Sequence, residues 1–398
     1  MQNPSAQGVT SPTAVPGLSA PNAAMAPPGN TALPFRRAVG PIRTKVSVQN
    51  TGTVSGGLTE VTEVLPGTGY MVFLDQTMTL TATGNASTNS VALAEDAPWS
   101  AFASNILDDG AAPFVNVPGY DLHLVNDYGG FGLRHTPASA DPNVYNPLTT
   151  GTGSAAGSGS FTLRMPFAIN DRDLIGLLGN QDRQTKYNLR SDVAAAAQIY
   201  NTQPNQLPAF TISRAYGYVP VPGALSADRR PQQVVPPSYG VIHYINSVQS
   251  DAVPTPGSTV NHFLHNLNNA LRLIILVFRA GTGTTPRAVA NANMPSKITF
   301  FAGSDPVFSE SAAERRFIMY QRYGFDAEDG VLVYDALRDF GPTAGYELGD
   351  EYIYLGDLSE AQFEIVYPSG FTSGGSLRFI TSTLAIPPGL DLTMMSQA

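Results

Sequence analysis

Residues 158–190 read SGSFTLRMPFAINDRDLIGLLGNQDRQTKYNLR. The segment opens as a strand, with Phe161, Leu163 and Met165 alternating against Thr162 and Arg164, a period of two that turns one face to a core. Pro166 marks the edge or end of that strand, because it has no N–H to give to a ladder. A short helix is expected next, capped by Asn170 or Asp171, with Leu174, Ile175, Leu177 and Leu178 as its apolar face. Gly179-Asn180 can close it in a left-handed turn, and residues 187–190 return to extended chain. A helix so short must pack on a sheet edge or a neighbour to persist.

A second stretch, residues 297–323, repeats the plan. KITFFAGS is strand-like, and SESAAERRFIMYQRYG is a helix in which Ser311 and Glu314 have capping-box spacing and Gly324 is the C-terminal stop. Two β-rich halves, each interrupted by one short helix followed by arginines, form the main organisational signal.

Composition agrees with many short strands. The 398 residues are enough for two sizeable cores. Gly 38 and Pro 32 make up roughly a sixth of them, as turns between strands require. The charged fraction is 13%, about half the usual share, so Ser, Thr, Asn and Gln must supply much of the polar surface. Such a surface suits a protein packed against copies of itself. The net charge of −9 argues against phosphate binding, which needs clustered Lys and Arg. Lys45, Lys186 and Lys297 are the only lysines; the other basic residues are arginine, suited to planar interface pairs, although a base-composition bias in the genome gives the same pattern. With no cysteine there is no disulfide and no thiolate metal site. The longest apolar run, residues 273–278, is far too short to span a bilayer, and the N-terminus lacks a basic region followed by an apolar core. A soluble, unexported chain is expected.

Taken in order, residues 1–35 carry no charged side chain and seven prolines, and are expected to be an arm ordered only by a partner. Strands follow over 44–48, 57–64, 70–83 and on both sides of a Gly-Asn turn within 79–95. GYDLHLVNDYGG at 119–130 alternates Leu122 and Leu124 with Asp121 and His123, a strand pattern. Residues 136–160 are a long Gly/Ser loop, and 208–221 a closing strand. ADRRPQQVVPP at 227–237 is the best linker. In the second half, 238–248 and 261–281 are strands, the latter ending in the strongest core strand. Others are expected near 331–334, 351–355, 362–367 and 377–386. The resulting fold class is all-β, two tandem eight-stranded jelly rolls with short helices inserted in each. Its expected parts are an arm at 1–40, jelly rolls at 41–222 and 237–388, a linker at 223–236 and a tail at 389–398.

YMVFLDQTMTLTATGNASTNSVALAEDAPWSAFASNILDDG followed by GYDLHLVN resembles the major capsid proteins of tectivirus-like phages, in the double jelly-roll lineage that includes the adenovirus hexon. MPFAINDRDLIGLLGNQDRQTKYNLR and DPVFSESAAERRFIMYQRYGF are similar in order and character, and the resemblance runs over residues 40–388. It implies two upright barrels per subunit and a homotrimer forming a pseudo-hexagonal capsomer. Neighbouring capsomers tile an icosahedral shell over an internal membrane. Minor capsid or vertex proteins are implied as further partners, and the termini as contacts to the membrane or its proteins. The implied location is the virion, after synthesis in the host cytoplasm.

Signals of chemistry are weak. GTGSAAGSGS at 151–160 misses the GxGxxG spacing by one residue and precedes a strand, so it is a surface loop. His262 and His265 could hold a metal only on a helix with a further carboxylate. Asp326, Glu328 and Asp329, and Glu347, Asp350 and Glu351, are acidic clusters without the regular ligand alternation of a calcium loop; a stray stabilising cation or solvated loops are the two readings. Forcing these carboxylates into a glycosidase pair has no support from sequence separation, and no G-x-S-x-G is present. The reading is therefore a structural protein and not an enzyme, with no cofactor, no dedicated metal site and no direct nucleic-acid binding. The competing reading is a two-domain β-sandwich that binds or cleaves glycans, and a spike or vertex protein on the same barrels is a third. Arg172 and Arg183 at the first helix, and Arg315, Arg316 and Arg322 on the second, are the candidate interface residues; salt bridges within one subunit are the alternative for them.

Overall fold

The computed structural model describes residues 32–36, 42–45, 50–67, 69–82, 92–131, 157–169, 174–180, 186–204, 207–236, 238–264, 269–281, 287–336, 352–355, 360–371 and 374–387. The chain divides into two compact units, residues 1–36 with 222–234 and residues 37–221 with 235–398. In the smaller unit the Leu33 N–H donates to the Pro231 carbonyl at 2.8 Å, and the Gln233 N–H to the Leu33 carbonyl at 2.9 Å. The last described residues of the arm thus pair with the segment expected to be a linker.

The larger unit holds two rolls. In the first, sheet A runs in the antiparallel order Ile42–Lys45, Ala209–Val219, Gly69–Ala82, Gly157–Pro166, with Asn50–Thr53 and Leu178–Asn180 paired beside it. It packs on four antiparallel strands, Pro113–Val117, Phe102–Asp108, Asn188–Val193 and Thr59–Val64. Phe102 and Phe161 meet edge to face between the layers at 5.9 Å. In the second roll, Ile242–Gln249, Ser376–Ala385, Ala270–Ala280 and Val331–Asp335 face a four-stranded sheet in the order Thr259–Phe263, Ala361–Val366, Lys297–Ala302, Asp305–Glu310.

One pairing welds the rolls together. Ile242–Gln249 of the second roll lies parallel to Pro113–Val117 of the first, with Ile245 opposite Val115 and Asn246 opposite Asn116. A single ten-stranded sheet therefore runs through both rolls. Its strand Ala270–Ala280 is buried at every residue but the last, which explains its unbroken apolar sequence.

Two local expectations give way. Residues 174–178 do not form a helix. Leu174 has φ 56° and Gly176 φ 84°, and Leu178–Asn180 pairs with Gly69–Met71 as a strand. Leu174, Ile175, Leu177 and Leu178 are all buried, so burial on every side of a turn, not on one helical face, accounts for the apolar run. A Cβ at Gly176 would meet the Phe167 carbonyl at 2.7 Å and His243 Cβ at 2.9 Å, which fixes glycine there. Conversely, the alternating stretch at 119–128 is helix α1 (Gly119–Tyr128), with all ten residues buried. A helix wrapped on all sides needs no polar face, and its sequence loses the 3.6-residue signature. Its polar members are bonded: Asn126 Nδ2 donates to the Arg164 carbonyl at 2.8 Å, and the Arg164 N–H donates back to Asn126 Oδ1 at 2.9 Å.

A four-residue helix α2 (Ala196–Ile199) follows. Helix α3 (Ala312–Tyr323) forms as its caps require. Ser311 Oγ accepts from the Glu314 N–H at 3.2 Å, Glu314 Oε2 accepts from the Ser311 N–H at 2.7 Å, and Gly324 closes the helix at φ 78°.

Candidate functional site at the junction of the rolls

Three elements converge beside the shared sheet: the turn at Trp99–Ala101, helix α1, and helix α3 with the loop that follows it. Asp121 of α1 accepts from Ser247 Oγ at 2.5 Å and pairs with Arg378 at 2.8 Å, both second-roll residues. Burial raises the Asp121 carboxyl above its ordinary range, against the pull of Arg378. Arg279, from the core strand of the second roll, pairs with Asp96 of the first at 2.8 Å and stands over the Tyr120 ring at 4.8 Å. Burial, the largest single influence, would lower the Arg279 pKa, but the charges of Asp96, Tyr120 and Asp121 and the hydrogen bond to Asp96 together more than offset it, and the net shift is upward. Asp96, Tyr120, Gln198, Gln249, Arg279 and Arg378 are among the residues lining a polar cavity of about 250 Å³ here.

The histidines part company. His262 is fully engaged, Nδ1 with Ser250 Oγ at 2.7 Å and Nε2 with Tyr367 Oη at 2.9 Å, and burial lowers its pKa to about 4. His265 lies outside the described residues. His243 bonds the Phe167 carbonyl and Ser382, and burial followed by the Arg272 charge lowers its pKa to about 3. His123 is different. Its ring stacks on Trp99 at 3.6 Å and 6°, and Nε2 faces Asp127 and Glu328. These three are the group of potential metal ligands among the described residues. Sequence reading placed His123 on a strand; on a helix, the i,i+4 spacing of His123 and Asp127 is the signal that finds the pair. Trp99 is itself buried, so the only tryptophan lines no open sugar-binding groove.

Of the candidate interface arginines, Arg172 and Arg183 lie outside the described residues. The other three tie α3 to its own chain. Arg315 donates to the Val333 carbonyl at 2.6 Å, pairs with Glu310 at 3.5 Å and covers the Tyr334 ring at 4.4 Å. Arg316 donates to the Ala327 carbonyl at 2.9 Å and to Asn291. Arg322 pairs with Asp335, whose carboxyl burial raises despite that partner. Alongside the exposed Glu314 and Gln321, α3 turns apolar side chains outward: Phe317 is 62% exposed and Tyr320 52%, with Ile318 beside them.

No family model matches the sequence, and no curated protein matches it. Solved structures do. A chain of the Sulfolobus turreted icosahedral virus superimposes with TM-score 0.61 at 11% identity, covering 88% of this chain and 92% of that one. The capsid of the PBCV-1 virus gives 0.58 at 14%, covering 88% and 95%. The major capsid protein P2 of bacteriophage PM2 gives 0.51 at 10%, covering 88% and 100%. The chain has a double jelly-roll fold. The matched chains are spanned almost end to end.

Proposed function

We propose that this chain is a major capsid protein, a structural subunit and not an enzyme, whose homotrimers form pseudo-hexagonal capsomers in an icosahedral virion shell. The observation that carries the reading is the ten-stranded sheet shared by the two rolls. It makes one subunit a rigid pair of similar barrels, so three subunits around an axis present six near-equivalent corners and can occupy a six-fold lattice position. The like-folded chains named above come from viral particles and are covered over nearly their whole length. The low charge of 13% fits a surface largely covered by copies of itself.

The outward face of α3 supplies a contact between copies. Phe317 and Tyr320 lie three apart, so they share one side of the helix, while its arginines face inward. Obligate homo-oligomer interfaces bury on the order of 2,000–5,000 Å² and are centred on such aromatic anchors. Vertex proteins, and a membrane reached by the termini, complete the proposed partners.

The paired substitution Phe317→Glu with Tyr320→Glu tests this contact. The variant is expected to keep its melting temperature as a monomer while losing trimers and shells in light scattering. Assembly at the wild-type level would remove α3 from the interface.

A further inference from the structure

His123 and Asp127 stand one turn apart on α1, and Glu328 reaches them from the loop after α3. His123 Nε2 lies 3.5 Å from Asp127 Oδ2 and 3.7 Å from Glu328 Oε1, and the three donor atoms fall within 4.8 Å of one another. These separations exceed a hydrogen bond of about 2.7–3.2 Å. The two distances from His123 are close to the ligand-to-ligand edge of about 3.4 Å in a tetrahedral site whose metal bonds are about 2.0–2.2 Å.

A second observation points the same way. His123 is 4% exposed, and its Nε2 has no hydrogen-bond partner. A buried imidazole nitrogen left unbonded is costly, and this nitrogen is aimed at two carboxylates. Trp99 stacks on the ring and fixes its plane. Tyr120 Oη donates to the other oxygen of Glu328, which orients that carboxylate as outer-shell partners of metal ligands do. The side chain of Glu328 is 25% exposed and leaves a way in.

We propose that His123, Asp127 and Glu328 bind a divalent transition-metal cation of the zinc type, with water as fourth ligand. One nitrogen and two carboxylate oxygens suit a borderline cation, and the two negative charges balance its own. The ion is structural. It staples α1 of the first roll to the segment after α3 of the second, on the same junction that the shared sheet welds. This inference is independent of the capsid reading, since it concerns one chain and is measured on one chain.

The test is zinc binding by the purified full chain after stripping with a chelator. The expected result is one zinc per chain by elemental analysis, a melting temperature that falls on stripping and recovers with zinc, and visible absorption bands when cobalt is substituted. Glu328→Gln, at the exposed rim, is expected to weaken zinc binding at least tenfold with an unchanged circular dichroism spectrum, and His123→Gln to abolish the cobalt bands. A stripped chain that takes up no zinc overturns the proposal. So does zinc uptake that Glu328→Gln leaves undiminished, because the ion then sits elsewhere.

Discussion

Between its layers the first roll holds a polar chain, and the second holds aromatic rings. In the first, Arg214 reaches across from sheet A to Glu63 at 2.5 Å and donates to Gln76 at 3.1 Å. Gln76 donates to Asn105 at 2.9 Å and accepts from Ser191 at 2.8 Å. In the second, Phe300 and Phe363 lie 4.8 Å apart, Phe308 stacks on Tyr334 at 4.5 Å, and Phe363 meets Phe379 at 5.7 Å. The same architecture is thus held by two kinds of physics. Directional bonds fix the sheet-to-sheet register of the first roll, and each is costly to leave unmade. The second relies on shape and apolar area, which tolerate exchange if volume is kept.

The difference can be broken most forcefully in the second roll. Phe363→Ala is expected to cost about 3–5 kcal/mol in urea unfolding, through lost burial and a residual cavity, whereas Phe363→Leu, which keeps most of the volume, costs less than about 1.5 kcal/mol. Equal losses for the two would mean that ring geometry, not filling, holds the roll.

Next in size, Arg214→Met leaves the Glu63 carboxylate without its cation and is expected to cost about 3 kcal/mol. Adding Glu63→Leu is expected to recover most of that loss, because a buried pair replaced whole by apolar groups is close to neutral. Failure of the double variant to recover would show that the polar chain specifies the register of the first roll beyond its pairwise energy.

Smallest per unit of the variable changed is the pH dependence contributed by His262. Its folded-state pKa, about 4, lies below the ordinary 6.5, so the unfolded chain binds more protons between those values. The stabilisation from His262 is complete above about pH 6.5 and declines as the pH falls towards 4, by at most about 1.4 kcal/mol per unit. The stability gap between wild type and His262→Gln should narrow over that window in thermal melts at several pH values. A gap constant from pH 7 to 4 would mean that His262 titrates normally.

Residues 270–280 announced a buried strand because both their faces are apolar, and Ser311 with Glu314 announced the start of α3 because a capping box is local chemistry. Both rolls were legible for that reason. Where an element is buried on every side, the periodicity that distinguishes helix from strand vanishes, and α1 and residues 174–178 were misassigned in opposite directions. The junction was invisible for a different reason. Tyr120 and Glu328 are 208 positions apart, and only the fold makes them neighbours. The arginines of α3 are conspicuous by charge, yet they bond within their own chain, while Phe317 and Tyr320, which the sequence did not single out, are exposed.

The solution mass of the purified chain, by light scattering with negative-stain images, bears most directly on the claim that this subunit is built to assemble. A particle of three 42.1 kDa chains with a hexagonal outline is the predicted result. A stable monomer across the working concentration range would contradict it.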